Sequence, residues 1–470
     1  MPRGRERVRD LGFRRPLLLA AMCLVAYAAP AAAQYSQSLF LELVRDPGRA
    51  DEPRTAKSLA LAGVQAGSGA ADDAVVSPGS LMLGSGTDLV VSFGSFFYAR
   101  NELINTPRQL PPFDPTRTLS PTSTTPVGYV AVATRRPRWA AAGFYDATSR
   151  HAHAFTTAKA SLFATYLFPT IIIETGTGAA STSQSATRVG GSIAVGDQTS
   201  RVGVGVSVYM VRLNYLATAA DTVEITSSSF ANPNLTTFCC VLDQDRVEFR
   251  DWGPGFAVSG VVTPVRHFTL AARWRHEPTF SAVRELSISR QPPFRFSQEV
   301  QFRLPGAYGV SVIATAGATT ILAELSRERY AGVFSPVMSS TVDPNYICGQ
   351  IAAAYCPGWN FPYHDTNDTT TIKAALEHTL AAGSGRLALR GGIAYEPGYT
   401  LARSAGDVST RRTLSLPAPP IVTEFEPPRE SSTWLSTGLA YAWRSAEIGV
   451  GVGHANHQTR LLVDVRVRSR

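Results

Sequence analysis

Residues 267–274 read His-Phe-Thr-Leu-Ala-Ala-Arg-Trp, and this alternation decides the fold class. Phe268, Leu270 and Trp274 are apolar, and mostly polar or small residues stand between them. Successive side chains of a β-strand point to opposite faces, so a two-residue repeat predicts a strand with one apolar and one polar face. The stretch therefore predicts a half-buried strand rather than a helix.

The same period recurs from about Thr87 to the C-terminus, for example at Tyr308, Val310 and Val312. About fourteen such segments of roughly ten residues can be delimited, and ten residues is the length with which a tilted strand crosses a bilayer. The predicted strands are 87–98, 128–135, 138–149, 186–196, 201–213, 255–263, 267–277, 306–316, 319–329, 371–380, 386–395, 433–442, 446–455 and 459–468.

The connections between these strands alternate in length. Tight turns fall at 136–137, 197–200, 264–266, 317–318, 381–385 and 443–445, and long segments at 99–127, 150–185, 214–254, 278–305, 330–370 and 396–432. Short turns on one side and long loops on the other are typical of an outer-membrane β-barrel, with the short turns in the periplasm. A soluble β-sandwich is the alternative, but it gives no reason for loop length to segregate. The predicted fold is therefore an all-β, transmembrane antiparallel barrel of about 14 strands.

The first 33 residues have the layout of a secretory signal peptide. A run of arginines precedes the uncharged apolar stretch 17–29, and Ala31-Ala32-Ala33 offers a small-residue cleavage site. About 13 apolar residues are too few for a spanning helix, which needs roughly 20. The sequence predicts an exported chain that begins near Gln34.

Composition excludes some classes of function. The leader carries half of the formal net charge of +8, so the charge gives no reason to expect a nucleic-acid partner. Cys239, Cys240, Cys348 and Cys356 follow the leader, and an oxidising compartment favours one or two disulfides, with Cys348–Cys356 the natural local pair. A metal site is the alternative, but no histidine stands beside them at ligand spacing. We therefore expect neither a metal nor a cofactor.

Residues 34–86 do not alternate and are rich in Ala, Gly and Ser. A fourteen-strand barrel encloses a lumen wider than its own side chains fill. The sequence therefore predicts three parts: a signal peptide (1–33), an N-terminal plug or hatch in the lumen (34–86) and the transmembrane barrel (87–470).

The chain resembles the FadL family of outer-membrane transporters for long-chain fatty acids and other hydrophobic compounds. Asp72-Asp73 and Ser77-Pro78-Gly79 resemble the family's plug motif, an acidic and small-residue run leading to Asn-Pro-Ala, although the asparagine and alanine are replaced here. Shorter resemblances occur at 252–256, 302–305 and 395–397. The resemblance implies a plug that shifts to release a hydrophobic ligand, with an exit sideways through the barrel wall.

A gap in the wall needs a kink or bulge, which glycine permits. Gly143, in the third predicted strand, is the candidate position. The alternative is an ordinary strand glycine that packs beside the plug.

Two sets of residues are candidates for ligand contact. Aromatic residues of the long segments could form an apolar groove, or could pack under their own loops; they are Phe230, Phe238, Phe280 and Phe294. Cations on the predicted lumen face could pair with a carboxylate headgroup, or with carboxylates such as Asp72 and Asp73; they are Arg273, Arg275, Lys373, Arg386 and Arg390.

No complete catalytic motif is present. Gly205-Val206-Ser207-Val208 continues to Tyr209, so it is not a nucleophile elbow. His276 and His378 lie on predicted strands, and a barrel-wall hydrolase would need a serine beside one of them. The sequence does not indicate an enzyme.

The leading hypothesis is a monomeric passive transporter of hydrophobic small molecules in the bacterial outer membrane. Its expected partners are the hydrophobic ligand, outer-membrane lipid and the barrel assembly machinery. A barrel that anchors or hands over other exported proteins is the alternative.

Overall fold

A computed structural model describes residues 52–64, 67–98, 100–103, 116–119, 123–165, 170–229, 232–289, 294–331, 364–366, 368–398, 401–403, 431–455 and 458–469. The predicted signal peptide, Phe230 and the pair Cys348 and Cys356 lie outside these residues. Backbone alone is described for Phe238, Cys239, Cys240 and Phe294.

Most of the described chain is β-strand. The strands are β1 (Gly86–Tyr98), β2 (Arg100–Leu103), β3 (Thr116–Leu119), β4 (Ser123–Arg135), β5 (Trp139–Thr165), β6 (Thr170–Asp197), β7 (Val202–Ser229), β8 (Asn232–Val265), β9 (Phe268–His276), β10 (Thr279–Ser289), β11 (Phe294–Arg303), β12 (Gly306–Ala316), β13 (Thr319–Arg329), β14 (His364–Thr366), β15 (Thr369–Ala382), β16 (Gly385–Glu396), β17 (Leu401–Arg403), β18 (Ser432–Trp443), β19 (Ala446–Ala455) and β20 (Gln458–Ser469).

Fourteen of these strands close into an antiparallel barrel, in the order β8-β7-β6-β5-β4-β1-β20-β19-β18-β16-β15-β13-β12-β9. The consecutive strands β8 and β9 pair with each other. The first strand, β1, pairs with the last, β20, from Thr87↔Ser469 to Tyr98↔Gln458, and this pairing closes the barrel. The predicted fold class is confirmed, and a fourteen-strand barrel is the architecture that the FadL resemblance implies.

The apolar faces of the strands point away from the barrel axis. On β7, Val204, Val206 and Val208 are exposed, whereas Ser207 and Tyr209, which alternate with them, are buried. The same division holds on β9, β12, β13 and β15. An outer surface of Val, Ile, Leu and aromatic side chains around a polar interior is what a barrel in lipid requires.

Turns of two to four residues join the strands at one end of the barrel, which we call the short-turn end. Gly317 and Gly383 hold φ values of +59° and +57°, a left-handed conformation that glycine adopts without strain. The turn at 317–318 matches its prediction to the residue, and the other five overlap the predicted turns. The opposite end is called the long-segment end.

The predicted long loops 150–185 and 214–254 are instead largely strand, which corrects the sequence-based assignment. β5 to β8 are 27, 28, 28 and 34 residues long. At about 3.3 Å per residue they extend to roughly 90 Å or more, far beyond the bilayer. In 278–305 a hairpin of β10 and β11 pairs with the projecting part of β8. A six-stranded sheet, formed by β11, β10, β8, β7, β6 and β5, therefore extends from the long-segment end of the barrel.

Before the barrel come helix α1 (Ala56–Ala60) and two 3₁₀ helices, Ala71–Ala74 and Pro78–Leu83. We call residues 52–84 the inner segment. Among the described residues no helix is long and apolar enough to cross a membrane.

Candidate functional site

The inner segment lies against the inward faces of strands from all around the barrel. α1 contacts β16, β18, β19 and β20, and the second 3₁₀ helix contacts β4 to β8. Thr55 caps α1 in a reciprocal capping box with Ser58, which fixes this short helix within the wide lumen.

Glycines of the wall let the backbone of the inner segment approach closely. A Cβ on Gly451 would lie 2.3 Å from the Ala56 carbonyl oxygen, and a Cβ on Gly203 would lie 2.4 Å from the Gly79 carbonyl oxygen. Any side chain at either position would push the segment away. The two halves of the segment are therefore seated on opposite sides of the barrel by wall glycines.

The residues of the predicted plug motif meet the wall directly. The Gly79 N–H donates to the Ser259 hydroxyl at 2.8 Å, and the Ser77 and Ser80 hydroxyls are 2.8 Å apart. Pro78 begins the second 3₁₀ helix, where a missing N–H does no harm. A Cβ on Gly205 would lie 2.7 Å from the Pro78 carbonyl carbon.

Ion pairs connect the inner segment to the wall at three buried points. Arg54 Nε lies 2.6 Å from Asp146 Oδ2, Asp72 Oδ1 lies 3.2 Å from Arg466, and Glu52 lies 3.5 Å from Arg460. A buried charge that loses its partner is strongly destabilising, so each pair opposes displacement of the segment.

Four of the five predicted lumen cations are buried and already face wall carboxylates. Arg273 and Lys373 share Glu324, at 2.8 and 3.0 Å, and the Lys373 ammonium also donates to the Gly63 carbonyl of the inner segment at 3.0 Å. Arg390 lies 2.6 Å from a carboxylate oxygen of Glu377. Arg275, the fourth buried cation, lies 3.3 Å from Glu277. The fifth, Arg386, is exposed at the short-turn end.

The adjacent carboxyls of Asp72 and Asp73 differ in their surroundings. Burial raises the pKa of Asp73 to about 7, and the charge of Asp72 acts in the same direction. Burial also acts upward on Asp72, but Arg466 and Lys57 outweigh it and hold the pKa of Asp72 below its ordinary value. Asp73 accepts hydrogen bonds from the Gly69 N–H at 2.7 Å and the Ser68 hydroxyl at 3.2 Å.

An apolar cluster lines the lumen from the inner segment toward the long-segment end. Phe144 and Tyr209 meet edge to face with ring centroids 6.1 Å apart, and Tyr215 and Phe249 do so at 5.7 Å. Phe280, predicted in an outer groove, is buried within this cluster. We give the name aromatic cluster to its part on the long-segment side of the inner segment. The members are Phe144, Tyr209, Val211, Leu213, Tyr215, Phe249, Phe280, Leu304 and Tyr330.

A cavity of about 190 Å³ lies on the other side of the inner segment, toward the short-turn end. Lys57 and Leu61 of the inner segment line it, together with Thr269 and Leu322 of the wall and Arg266 of a short turn. The inner segment therefore stands between the aromatic cluster and this cavity.

The ladder between β4 and β5 ends inside the barrel wall. The recorded pairs run from Arg135↔Ala140 to Tyr129↔Asp146, while β4 shows a register shift with β1 and β5 shows one with β6 just beyond. Pro126 lies within the register shift of β4 and supplies no N–H to the ladder, which explains the irregularity. No pair of the two strands is recorded beyond Asp146, the residue that Arg54 of the inner segment contacts.

Gly143 lies three residues before that point, where the ladder is continuous on both sides. A Cβ there would meet nothing within 4 Å, so Gly143 does not pack against the inner segment. Pro126, between two runs of alternation, is the sequence signal for this irregularity, whereas Gly143 marks a position within the continuous ladder.

The two strand histidines have partners other than serine. His378 Nδ1 lies 2.8 Å from the Thr319 hydroxyl, and His276 packs on the outer face at 5.2 Å from the Phe256 ring. Among the described residues no group of three His, Cys, Asp or Glu side chains could hold a metal ion.

Comparison with known proteins gives matches in structure alone. The toluene transporter TbuX of Ralstonia pickettii aligns with a TM-score of 0.49 and 11% identity, over 84% of this chain and 92% of its own. The toluene transporter TodX of P. putida gives 0.44 and 10%, over 90% and 99%, and the monoaromatic hydrocarbon channel CymD gives 0.44 and 11%, over 88% and 97%. No protein-family model and no curated sequence matches. With scores below 0.5, functional inference depends on the geometry of the chain itself.

The surroundings of Asp73 give a testable pH dependence. Folding raises its pKa, so its contribution to seating the inner segment is fully present below pH 3.8, the ordinary value, and is lost as the pH rises to about 7. Asp73→Asn should match the wild type at pH 5 in hydrogen exchange of residues 68–76. At pH 8 the wild type should exchange about tenfold faster or more than the variant, since one pKa unit corresponds to a factor of ten. Equal exchange of the two proteins at pH 8 would contradict this.

Proposed function

We propose that the protein is a passive transporter of hydrophobic small molecules in the bacterial outer membrane, with the inner segment as its plug. The observation that carries the proposal is the aromatic cluster, whose buried apolar side chains lie between the long-segment end and the inner segment. A barrel interior that served only as a membrane anchor would have no need for it.

The energetic basis of passage is partition. A hydrophobic molecule that leaves water for such a lining gains about 0.8 kcal/mol for each buried methylene group. Edge-to-face aromatic pairs such as Phe144–Tyr209 and Tyr215–Phe249 also suit flat aromatic guests, whose rings can adopt the same geometry. Apolar burial, rather than hydrogen bonding, therefore sets affinity.

The paired cations refine the expected substrate class. Glu324 lies within 3.0 Å of both Arg273 and Lys373, and Glu377 lies within 2.6 Å of Arg390. A carboxylate headgroup would have to displace a buried wall carboxylate to reach any of them, which is unfavourable. The arrangement favours uncharged hydrophobic compounds over fatty acids.

The exit that we propose is lateral, between β4 and β5 beyond Asp146. Three observations support it: the recorded ladder ends there, register shifts flank it, and Arg54 of the inner segment contacts Asp146 at 2.6 Å. Displacement of the plug would break this contact at the edge of the gap. A hydrophobic molecule could then enter the bilayer without crossing the polar cavity at the short-turn end.

A second candidate function is suggested by the projecting sheet. β8 alone is 34 residues long, and its outer part pairs with β10 well away from the barrel. Such a surface suits a scaffold for other exported proteins. Retained binding of a hydrophobic probe after removal of the projecting residues 151–184 would favour transport over this alternative, and its loss would favour a role of the projecting sheet in capture.

Binding to the aromatic cluster is tested by Phe249→Ser. We expect its affinity for a fluorescent hydrophobic amine to fall about tenfold, because a polar group replaces a buried ring at a loss of roughly 1.5 kcal/mol or more. Trp252→Ser, three residues along the same strand and on the outer face, is the matched control and should bind as the wild type does. An unchanged affinity of Phe249→Ser, measured by fluorescence titration of the purified proteins, would refute the proposed site.

The lateral exit is tested by tethering the strands that part. Val127→Cys with Thr148→Cys, joined by a bifunctional thiol reagent, should abolish delivery of a hydrophobic compound into the bilayer of proteoliposomes. Val130→Cys with Tyr145→Cys, a pair within the intact ladder, should leave delivery unchanged after the same treatment. Delivery that continues through the Val127–Thr148 tether would exclude this route and would leave passage through the short-turn end.

A further inference from the structure

Exposed arginines surround the short-turn end. We call them the arginine rim; its members are Arg136, Arg138, Arg201, Arg266, Arg386, Arg444 and Arg468, of which Arg201 and Arg266 also line the cavity next to the inner segment. They stand on four of the turns, at the start of β16 and at the end of β20. In the closed strand order these positions are distributed around the barrel, with a break at the turn between β12 and β13.

Few described carboxylates balance this charge at the same end. Asp197 is occupied by its own turn, where it accepts from the Thr199 N–H at 2.9 Å and the Ser200 N–H at 3.2 Å. Glu447 lies 3.3 Å from both Arg390 and Arg468. The other arginines of the rim have no recorded carboxylate partner within the described residues.

Among the described residues, exposed arginines and carboxylates are closer to balance at the long-segment end. There Arg246 lies 2.7 Å from Glu248, and Arg327 lies 3.5 Å from Asp368. Asp251 and Glu285 are also exposed on the described parts of the projecting sheet. Within the described part of the chain, the excess of positive charge is therefore greatest at the short-turn end.

Outward-facing tryptophans fix the height of the rim relative to the membrane. Trp139 and Trp443 are both 45% exposed at the edge of the apolar outer surface, and each is adjacent in sequence to a rim arginine. The Arg444 guanidinium carbon lies 4.6 Å from the Trp443 ring centroid. Aromatic residues of membrane proteins concentrate at the boundary between hydrocarbon and headgroups, so the rim arginines on these turns lie at headgroup level.

We propose that the arginine rim binds the phosphate groups of anionic phospholipids in the leaflet that the short turns face. Guanidinium groups bind phosphate oxygens in a bidentate manner, and a cluster of cations at the membrane surface attracts anionic lipid. The rim occupies several sides of the barrel, with the break between β12 and β13, which matches surrounding lipid rather than one docked protein, since a docked protein would need a charged patch on one side. The rim anchors the barrel at a fixed depth in the membrane.

The test compares lipid retained by the purified full chain. The protein is extracted from vesicles of equal parts phosphatidylglycerol and phosphatidylcholine, and bound lipid is counted by native mass spectrometry. We expect enrichment of phosphatidylglycerol by about threefold, falling toward none as salt rises from about 50 to 500 mM, because salt screens exposed charges.

The triple variant Arg136→Gln, Arg138→Gln and Arg444→Gln should lose the enrichment. The matched control Arg246→Gln, Arg250→Gln and Arg327→Gln removes three arginines at the opposite end and should keep it. Heat-modified mobility on a gel verifies that both variants are folded. Equal retention of the two lipids by the wild type would overturn the proposal, and so would full enrichment in a folded rim variant. Either result would leave an acidic soluble protein as the alternative partner of the rim.

Discussion

Closure of the strand ladder is the constraint on which the rest of the structure depends. In hydrocarbon every backbone N–H and C=O must be bonded within the protein, so a sheet can span lipid only when its last strand pairs with its first. Pairing of β1 with β20 along their whole length meets this requirement. Once the ring is closed, alternation sends valine, isoleucine and leucine outward and every second side chain into the lumen. The polarity of the interior is a consequence of closure.

That interior explains why the inner segment is seated by both charge and shape. A lumen lined by arginines and lysine needs carboxylates, and these come from neighbouring strands, as with Glu324, and from the segment itself, as with Asp72. Wall glycines such as Gly451 provide room for the segment's backbone. The aromatic cluster lies on one side of the inner segment and the cavity on the other, so the segment separates an apolar cluster from a cavity with polar lining.

Sequence reasoning succeeded where lipid and tight turns impose a pattern. The strands 306–316, 319–329 and 446–455 match to the residue because a two-residue turn fixes at least one of their ends and one face must be apolar. The strands of 150–185 are not predicted, because no sustained alternation of apolar and polar residues marks them in the sequence. The partners of the lumen cations were also out of reach, because contact of Arg273 with Glu324 depends on barrel geometry across an intervening strand.

Ionic conductance in planar bilayers shows directly whether the inner segment closes the barrel. Gly451→Val would force the Ala56 carbonyl away from the wall, whereas Gly391→Val would meet its nearest atom at 3.9 Å and leave the inner segment seated. If the segment closes the barrel, the wild type and Gly391→Val should conduct little and Gly451→Val should open to stable, larger currents. A wild-type barrel that conducts as freely as Gly451→Val would contradict the account.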